Sequence, residues 1–170
     1  MNPGSTFAAL TGNDRPGHLW VSPLIGQPGF LRVLDSRTVE VARVPARQDP
    51  LYELPVPQQI GLIALNYERR RRFRLNGTLA ATNERALRIS VDEAFGNCPQ
   101  FIPQRTIDSS SEALPTGDRD IATSDKGASS DREGQLTRED LDIIRRADTF
   151  ILGTSHPQRG SDASHRGGLA

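Results

Sequence analysis

Ile60-Gly61-Leu62-Ile63-Ala64-Leu65 is a continuous apolar run of strand length. Without polar alternation, such a run suits a strand buried on both faces. The segments around it read as further strands. Thr6–Thr11 and His18–Ile25 flank the turn Gly12-Asn13-Asp14-Arg15-Pro16-Gly17 and form a β-hairpin with a long loop. After a second turn at Gly26-Gln27-Pro28-Gly29, Phe30–Leu34 and Thr38–Val44 make another hairpin around Asp35-Ser36-Arg37. Val39 and Val41 share one face of it, with Arg43 as the next position of the same alternation.

Pro45–Pro57 is irregular, with one helical turn expected at Asp49–Leu54. Leu75–Ala80 carries Asn76-Gly77, which reads as a bulge or bend inside a strand pair rather than a hairpin tip. Ala86–Val91 is one more strand. Twelve prolines and fifteen glycines at short intervals favour strands and turns over long helices. The fold expected is mainly β: a six- to seven-stranded antiparallel barrel, closed or partly closed so that its edges are buried.

Phe95-Gly96-Asn97-Cys98-Pro99-Gln100-Phe101-Ile102 ends this set and holds the one cysteine. Asn97 followed by Pro99 reads as a helix start, a capping side chain and then a proline in the first turn. The unpaired N–H groups of such a start would favour an anion.

The remainder changes character. Thr106–Gln135 is rich in Ser, Asp, Gly and Thr and reads as a flexible linker. Thr137 then caps a helix, with Asp140 three residues on and Leu141, Ile144 and Ala147 as its apolar stripe. Thr149–Thr154 is a strand, Ser155–Gly160 a turn, and a last strand leads to the end. The expected division is residues 1–105 for the barrel, 106–135 for the linker and 136–170 for the helix and hairpin.

Set without gaps on the first hairpin, the last one matches at Thr149-Phe150 with Thr6-Phe7, Thr154 with Thr11 and Gly160 with Gly17. A lone hairpin is not stable. The tail therefore reads as the start of an incomplete second barrel, or as a segment that pairs with something else.

Lysine plus arginine equals aspartate plus glutamate, 21 each, and Lys126 is the single lysine. No whole-chain charge points to nucleic acid or membrane. No apolar run is long enough to span a bilayer and no signal pattern opens the chain, so a cytoplasmic protein is expected. His156 and His165 lack ligand partners at useful spacing, so no metal is expected.

Trp20-Val21-Ser22-Pro23-Leu24-Ile25-Gly26, Pro28-Gly29-Phe30, the arginine run Arg69–Arg72 before Leu75-Asn76-Gly77, the octapeptide Phe95–Ile102, Ala147-Asp148-Thr149-Phe150 and Asp162-Ala163-Ser164-His165-Arg166-Gly167-Gly168 carry a resemblance. In this order they resemble the pyridoxamine 5′-phosphate oxidase-like proteins, in particular the subgroup with two tandem FMN-binding split barrels. The likeness covers about residues 6–105 and 136–168. It implies a Greek-key split barrel and FMN held between two barrels, the second of them truncated. It also implies a flavin-dependent oxidoreductase acting on a small-molecule redox substrate. A homodimer of the first barrel would offer an alternative way to pair barrels. FAD, haem and deazaflavin remain alternative ligands of the same fold. A non-catalytic interaction module without cofactor is the alternative function.

A flavin protein leaves redox chemistry to the cofactor and supplies phosphate contacts, ring hydrogen bonds and a dry cleft. The candidates implied are Ser22 as a hydrogen-bonding partner of flavin, Arg43 (with Arg47) as a phosphate clamp, and Asn97 and Arg105 at the flavin interface. Ser164, His165 and Arg166 complete the set, with Arg166 for phosphate and His165 for a hydrogen bond or proton relay. Trp20 reads as barrel core, Cys98 as structural, and Arg69–Arg72 as a solvated face or a phosphate or nucleic-acid patch, the last disfavoured because only Tyr67 and Phe73 are interleaved for base stacking. No catalytic residue is assigned. A shared seat requires the Trp20 and Asn97 ends of their strands to lie on one pole.

Overall fold

The computed structural model describes residues 4–106 and 136–168 and, of Asn97, the backbone only. The linker expected over 106–135 thus falls outside the described residues, except for Thr106. The strands are β1 (Phe7–Asn13), β2 (Leu19–Ile25), β3 (Leu31–Val33), β4 (Thr38–Val41), β5 (Gln58–Asn66), β6 (Arg71–Thr82) and β7 (Leu87–Asn97). They are followed by α1 (Arg138–Arg146), β8 (Thr149–His156) and β9 (Gly160–Gly167). The first seven form one antiparallel sheet in the order β2-β1-β5-β6-β7-β4-β3, and β8 and β9 form a separate antiparallel pair.

The sheet curls because its inward side chains share one core. Leu24 of β2 and Leu31 of β3 stand on opposite edge strands. Both nevertheless pack in the cluster formed by Leu10, Val39, Val41, Ile60, Leu62, Leu75, Leu79, Leu87 and Ile89. Each large aliphatic side chain taken fully from water contributes about 1.5–3 kcal/mol, and a flat sheet could not bring these two edges together. The result is a seven-stranded antiparallel barrel, open between β2 and β3. Asn76-Gly77 sits at a register shift between β6 and β7, a bulge inside the ladder as its sequence suggests. A Cβ on Gly77 would stand 2.1 Å from the Ser90 carbonyl oxygen, so glycine is what lets the two backbones meet there.

The apolar run explains the second layer. Ile60, Leu62 and Ala64 point into the barrel, while Ile63 and Leu65 point out and meet Ala9, Tyr67, Ile102 and Ala163. Ala163 belongs to β9, and Ile151 of β8 packs on the same cluster. The β8–β9 hairpin therefore lies on the outer face of β1 and β5, and β5 is buried on both sides. Close approach is made possible by glycines. A Cβ on Gly61 would lie 2.6 Å from the Asp162 backbone, and one on Gly153 would lie 2.5 Å from Val21.

Four expectations are corrected. No helix starts at Asn97-Pro99. Instead β7 runs on to Asn97, because β6 is long enough to pair with Phe95, Gly96 and Asn97 through Arg74, Phe73 and Arg72. Ladder hydrogen bonds take up the backbone groups that a helix cap would have served. The following residues turn, with Ile102 N–H donating to Pro99 O at 3.3 Å and Phe101 at φ 66°. Asp49–Leu54 forms turns rather than a helical turn, with Tyr52 N–H donating to Asp49 O.

The helix at α1 has its capping box at Thr137 and Asp140, but none of its residues is buried. Ile143 and Ile144 stay exposed, so capping rather than packing defines this helix. The ungapped repeat fails past its turn. Asn13 pairs with Leu19 in the first hairpin, whereas His156 pairs with Gly160 in the second, a connection two residues shorter. No helix among the described residues is long and apolar enough to cross a membrane.

Candidate functional site

The β6 alternation sends Arg72 and Arg74 outward, toward β9. Arg74 forms an ion pair with Asp162, and its guanidinium lies 4.9 Å from the centre of the Phe95 ring. Arg72 is different. Its Nη1 lies 3.2 Å from His165 Nδ1, and no carboxylate among the described residues pairs with it; its Nε, like that of Arg74, is buried without a partner. Burial holds its pKa below the usual guanidinium range, and the charges of Arg74 and Arg166 push the same way, with Cys98 opposing.

His165 is 5% exposed. A guanidinium only donates, so Nδ1 must offer a lone pair to Arg72, and the proton of a neutral ring sits on Nε2. That Nε2–H then donates to Thr149 Oγ1, 2.5 Å away, and the Thr149 hydroxyl donates on to the Arg166 carbonyl at 3.2 Å. Burial lowers the His165 pKa first, and the Arg72 and Arg105 charges lower it further.

Arg105 pairs with Asp148 and stands 5.6 Å from the centre of the Tyr67 ring. Burial raises the Tyr67 phenol pKa against the pull of the Arg105 charge. Arg70, at φ 50° in the tight turn between β5 and β6, donates from Nε to Ile102 O at 3.0 Å. The segment after β7 is thereby tied to the arginine turn. Around this pole Arg69–Arg72, Arg105 and Arg166 outnumber Glu68 and Asp148.

Ladder register fixes where the sequence candidates stand. Asn97 is level with Arg72, Leu65, Phe7 and Ile25, whereas Trp20 is level with Gly12 toward the other end of β2. The Trp20 and Asn97 ends therefore lie at opposite poles, and a seat shared by both is ruled out. Trp20 packs against the barrel core, its Nε1–H donating to Asp14 Oδ2 at 2.9 Å.

The Asn97 backbone, Arg105 and His165 come together at the arginine pole, and Arg166 stands at the same end of β9 with its exposed side chain on the face opposite His165, near enough for its charge to act on Arg72. Ser164, next to His165, points to the opposite face of β9, across from Leu152. Ser22 is buried on the inner face of β2 and donates to Asp49 Oδ1 at 2.5 Å, which fixes the Pro45–Pro57 segment to the barrel. Arg43 is exposed beyond β4, beside the Leu87 end of β7 and far from Asn97, and Arg47 is exposed as well. Sequence reasoning passed over Tyr67, Asp148 and Thr149 as side chains of the site. Arg72 was visible only as one of four arginines, and strand parity would have singled it out.

A separate cleft of about 940 Å³ lies between the hairpin tip and β6–β7. Phe95, Arg74, Asp92, Glu93, His156, Arg159 and Asp162 line it, and none of the seven sequence candidates does. Its carboxylates outnumber its arginines, so the arginine pole is the better place for an anion. Among the described residues no three His, Cys, Asp or Glu side chains gather as a metal site.

Fold and pole together define an antiparallel, barrel-like β protein with an arginine-rich pole at the joint between barrel and hairpin. No family model matches the chain, and no curated protein sequence does. Two solved structures are similar. One is a single-substitution variant of HupZ from Group A Streptococcus, at 14% identity and TM-score 0.41, covering 56% of this chain and 93% of that one. The other is HupZ from the same source, at 15% identity and TM-score 0.39, covering 54% and 84%. The site rests on this chain's own residues.

Proposed function

We propose that this protein binds FMN, with the flavin phosphate at the arginine pole, and serves as a flavin-dependent oxidoreductase on a small-molecule substrate. The observation that supports it is the uncompensated Arg72. Its charge is crowded by Arg74 and Arg166, and unlike Arg74 it has no carboxylate partner among the described residues. Crowded guanidinium groups are relieved by a dianion that accepts several charge-assisted hydrogen bonds. Arg72 and Arg105 would hold the phosphate, Arg166 would add a charge from the edge of the hairpin, and the exposed ring of Phe101 would give the flavin an apolar surface. When bound, the flavin supplies the electron transfer. The chain's own part is to fix the anion and to exclude water at the joint.

Titration of FMN into the folded protein tests this. Quenched flavin fluorescence and retained yellow colour, both weakened by added salt, are the expected result. Free flavin fluorescence with protein in excess rejects it.

A second reading is an interaction module without cofactor, acting as a homodimer. It is favoured by Phe150 and Leu152, 45% and 43% exposed side by side on the outer face of β8. Light scattering decides it: a dimer supports this reading, and a monomer at tens of micromolar rejects it.

A further inference from the structure

We infer that the β8–β9 hairpin is a proton-released flap, held at one end by a neutral His165. The inference does not depend on flavin binding. The contact that ties β9 to β6 requires a lone pair on Nδ1. Arg72 from β6 can only donate to it, at 3.2 Å. A proton there would set two donors and two positive charges against each other in a nearly dry site.

The other groups around the ring offer no relief. Thr149 from β8 already takes the Nε2 proton. Arg105, from the segment after β7, adds a positive charge, and its partner Asp148 is the nearby carboxylate, already paired. Tyr67 presents a phenol held neutral by burial. Cys98 and Arg166 act on Arg72 in opposite senses.

The far end of the hairpin is held differently. Asp162 is ion-paired with Arg74, and Ala163 is packed on Ile63. Protonation therefore lifts the Gly167 end first. Once undocked, a two-stranded hairpin is marginal in water, so its ladder opens as well. The sign follows from the geometry. The docked state favours the neutral ring, so its advantage is complete above the ordinary imidazole value of 6.5 and is lost as pH falls through the depressed one.

Hydrogen exchange on the full chain without flavin, compared as protection factors at about pH 8 and about pH 5, tests the flap. Amides of β8 and β9 should lose roughly tenfold protection for each unit by which docking depresses the ring, with β5 and β6 unchanged. His165→Asn keeps an acceptor toward Arg72 but cannot be charged, and should abolish the pH response. His156→Asn, at the hairpin tip, should leave it intact. Equal loss in His165→Asn, or no loss in the native chain, overturns the inference. Should His165→Asn fail to fold, imidazole nitrogen shifts of the native protein decide: the Nε2–H tautomer is expected near neutral pH, and a charged or Nδ1–H ring refutes the latch.

Discussion

Gly61 of β5 lies directly beneath Asp162 of β9, so close that a Cβ on Gly61 would stand 2.6 Å from the Asp162 Cα. The atom it would meet is backbone, so neither strand can yield without moving the layer. Gly61→Ala should therefore push the hairpin off while leaving the barrel folded, since the added methyl points outward from the inner core. Overpacking of this kind costs about 1–3 kcal/mol. Proteolysis should cut within 149–167 in the variant while the fragment before it survives. Unchanged resistance would show that the layers are not so tightly apposed.

Gly77→Ala should act on the barrel itself. The new Cβ would meet the Ser90 carbonyl oxygen at 2.1 Å, inside the β6–β7 ladder. Thermal unfolding should shift down for the whole domain, not for the hairpin alone, again by about 1–3 kcal/mol. A variant with the native melting temperature contradicts the bulge assignment.

Ser22→Ala separates a structural role from a cofactor role. Ser22 is 1% exposed, and its hydroxyl goes to Asp49, which also accepts from Leu51 N–H at 2.8 Å. Removing it leaves a half-buried carboxylate oxygen with one of its two donors gone, at a cost of about 1–3 kcal/mol. Chemical denaturation should register that loss, while FMN affinity of the folded protein stays as it was. A selective loss of FMN binding would return Ser22 to the site.

Arg166→Gln should do the reverse. The side chain is exposed and no ion pair holds it among the described residues, so stability should change by no more than about 0.5 kcal/mol. FMN affinity should fall roughly tenfold or more, with a shallower dependence on salt, as one charge-assisted contact is lost. Unchanged affinity in the fluorescence titration removes Arg166 from the phosphate contacts.

Much of the barrel was legible because its signals are local. The run at Ile60–Leu65 announces a strand covered twice, Asn76-Gly77 announces a bulge, and Thr137 with Asp140 announces a cap. The octapeptide misled because a cap signal at Asn97 competes with ladder pairing from β6, and only the length of β6 decides that contest. The candidate site was half legible. His165, Arg166 and Arg105 drew attention as polar residues in odd places. Their common focus on Arg72 and Thr149 depends on β9 stacking over β6, a contact 93 residues apart in sequence that no local pattern encodes. Ser22 and Arg43 were misplaced for the same reason: strand parity and register, not residue type, set which pole a side chain serves.

The most direct measurement is an amide chemical-shift titration of the isotope-labelled chain with FMN. The account predicts saturable shifts at Arg72, Asn97, Phe101, Arg105 and Arg166, reproduced in part by inorganic phosphate. Shifts confined to Asp92–Phe95 and the hairpin tip at His156–Gly160, or none in folded protein at excess FMN, would contradict it.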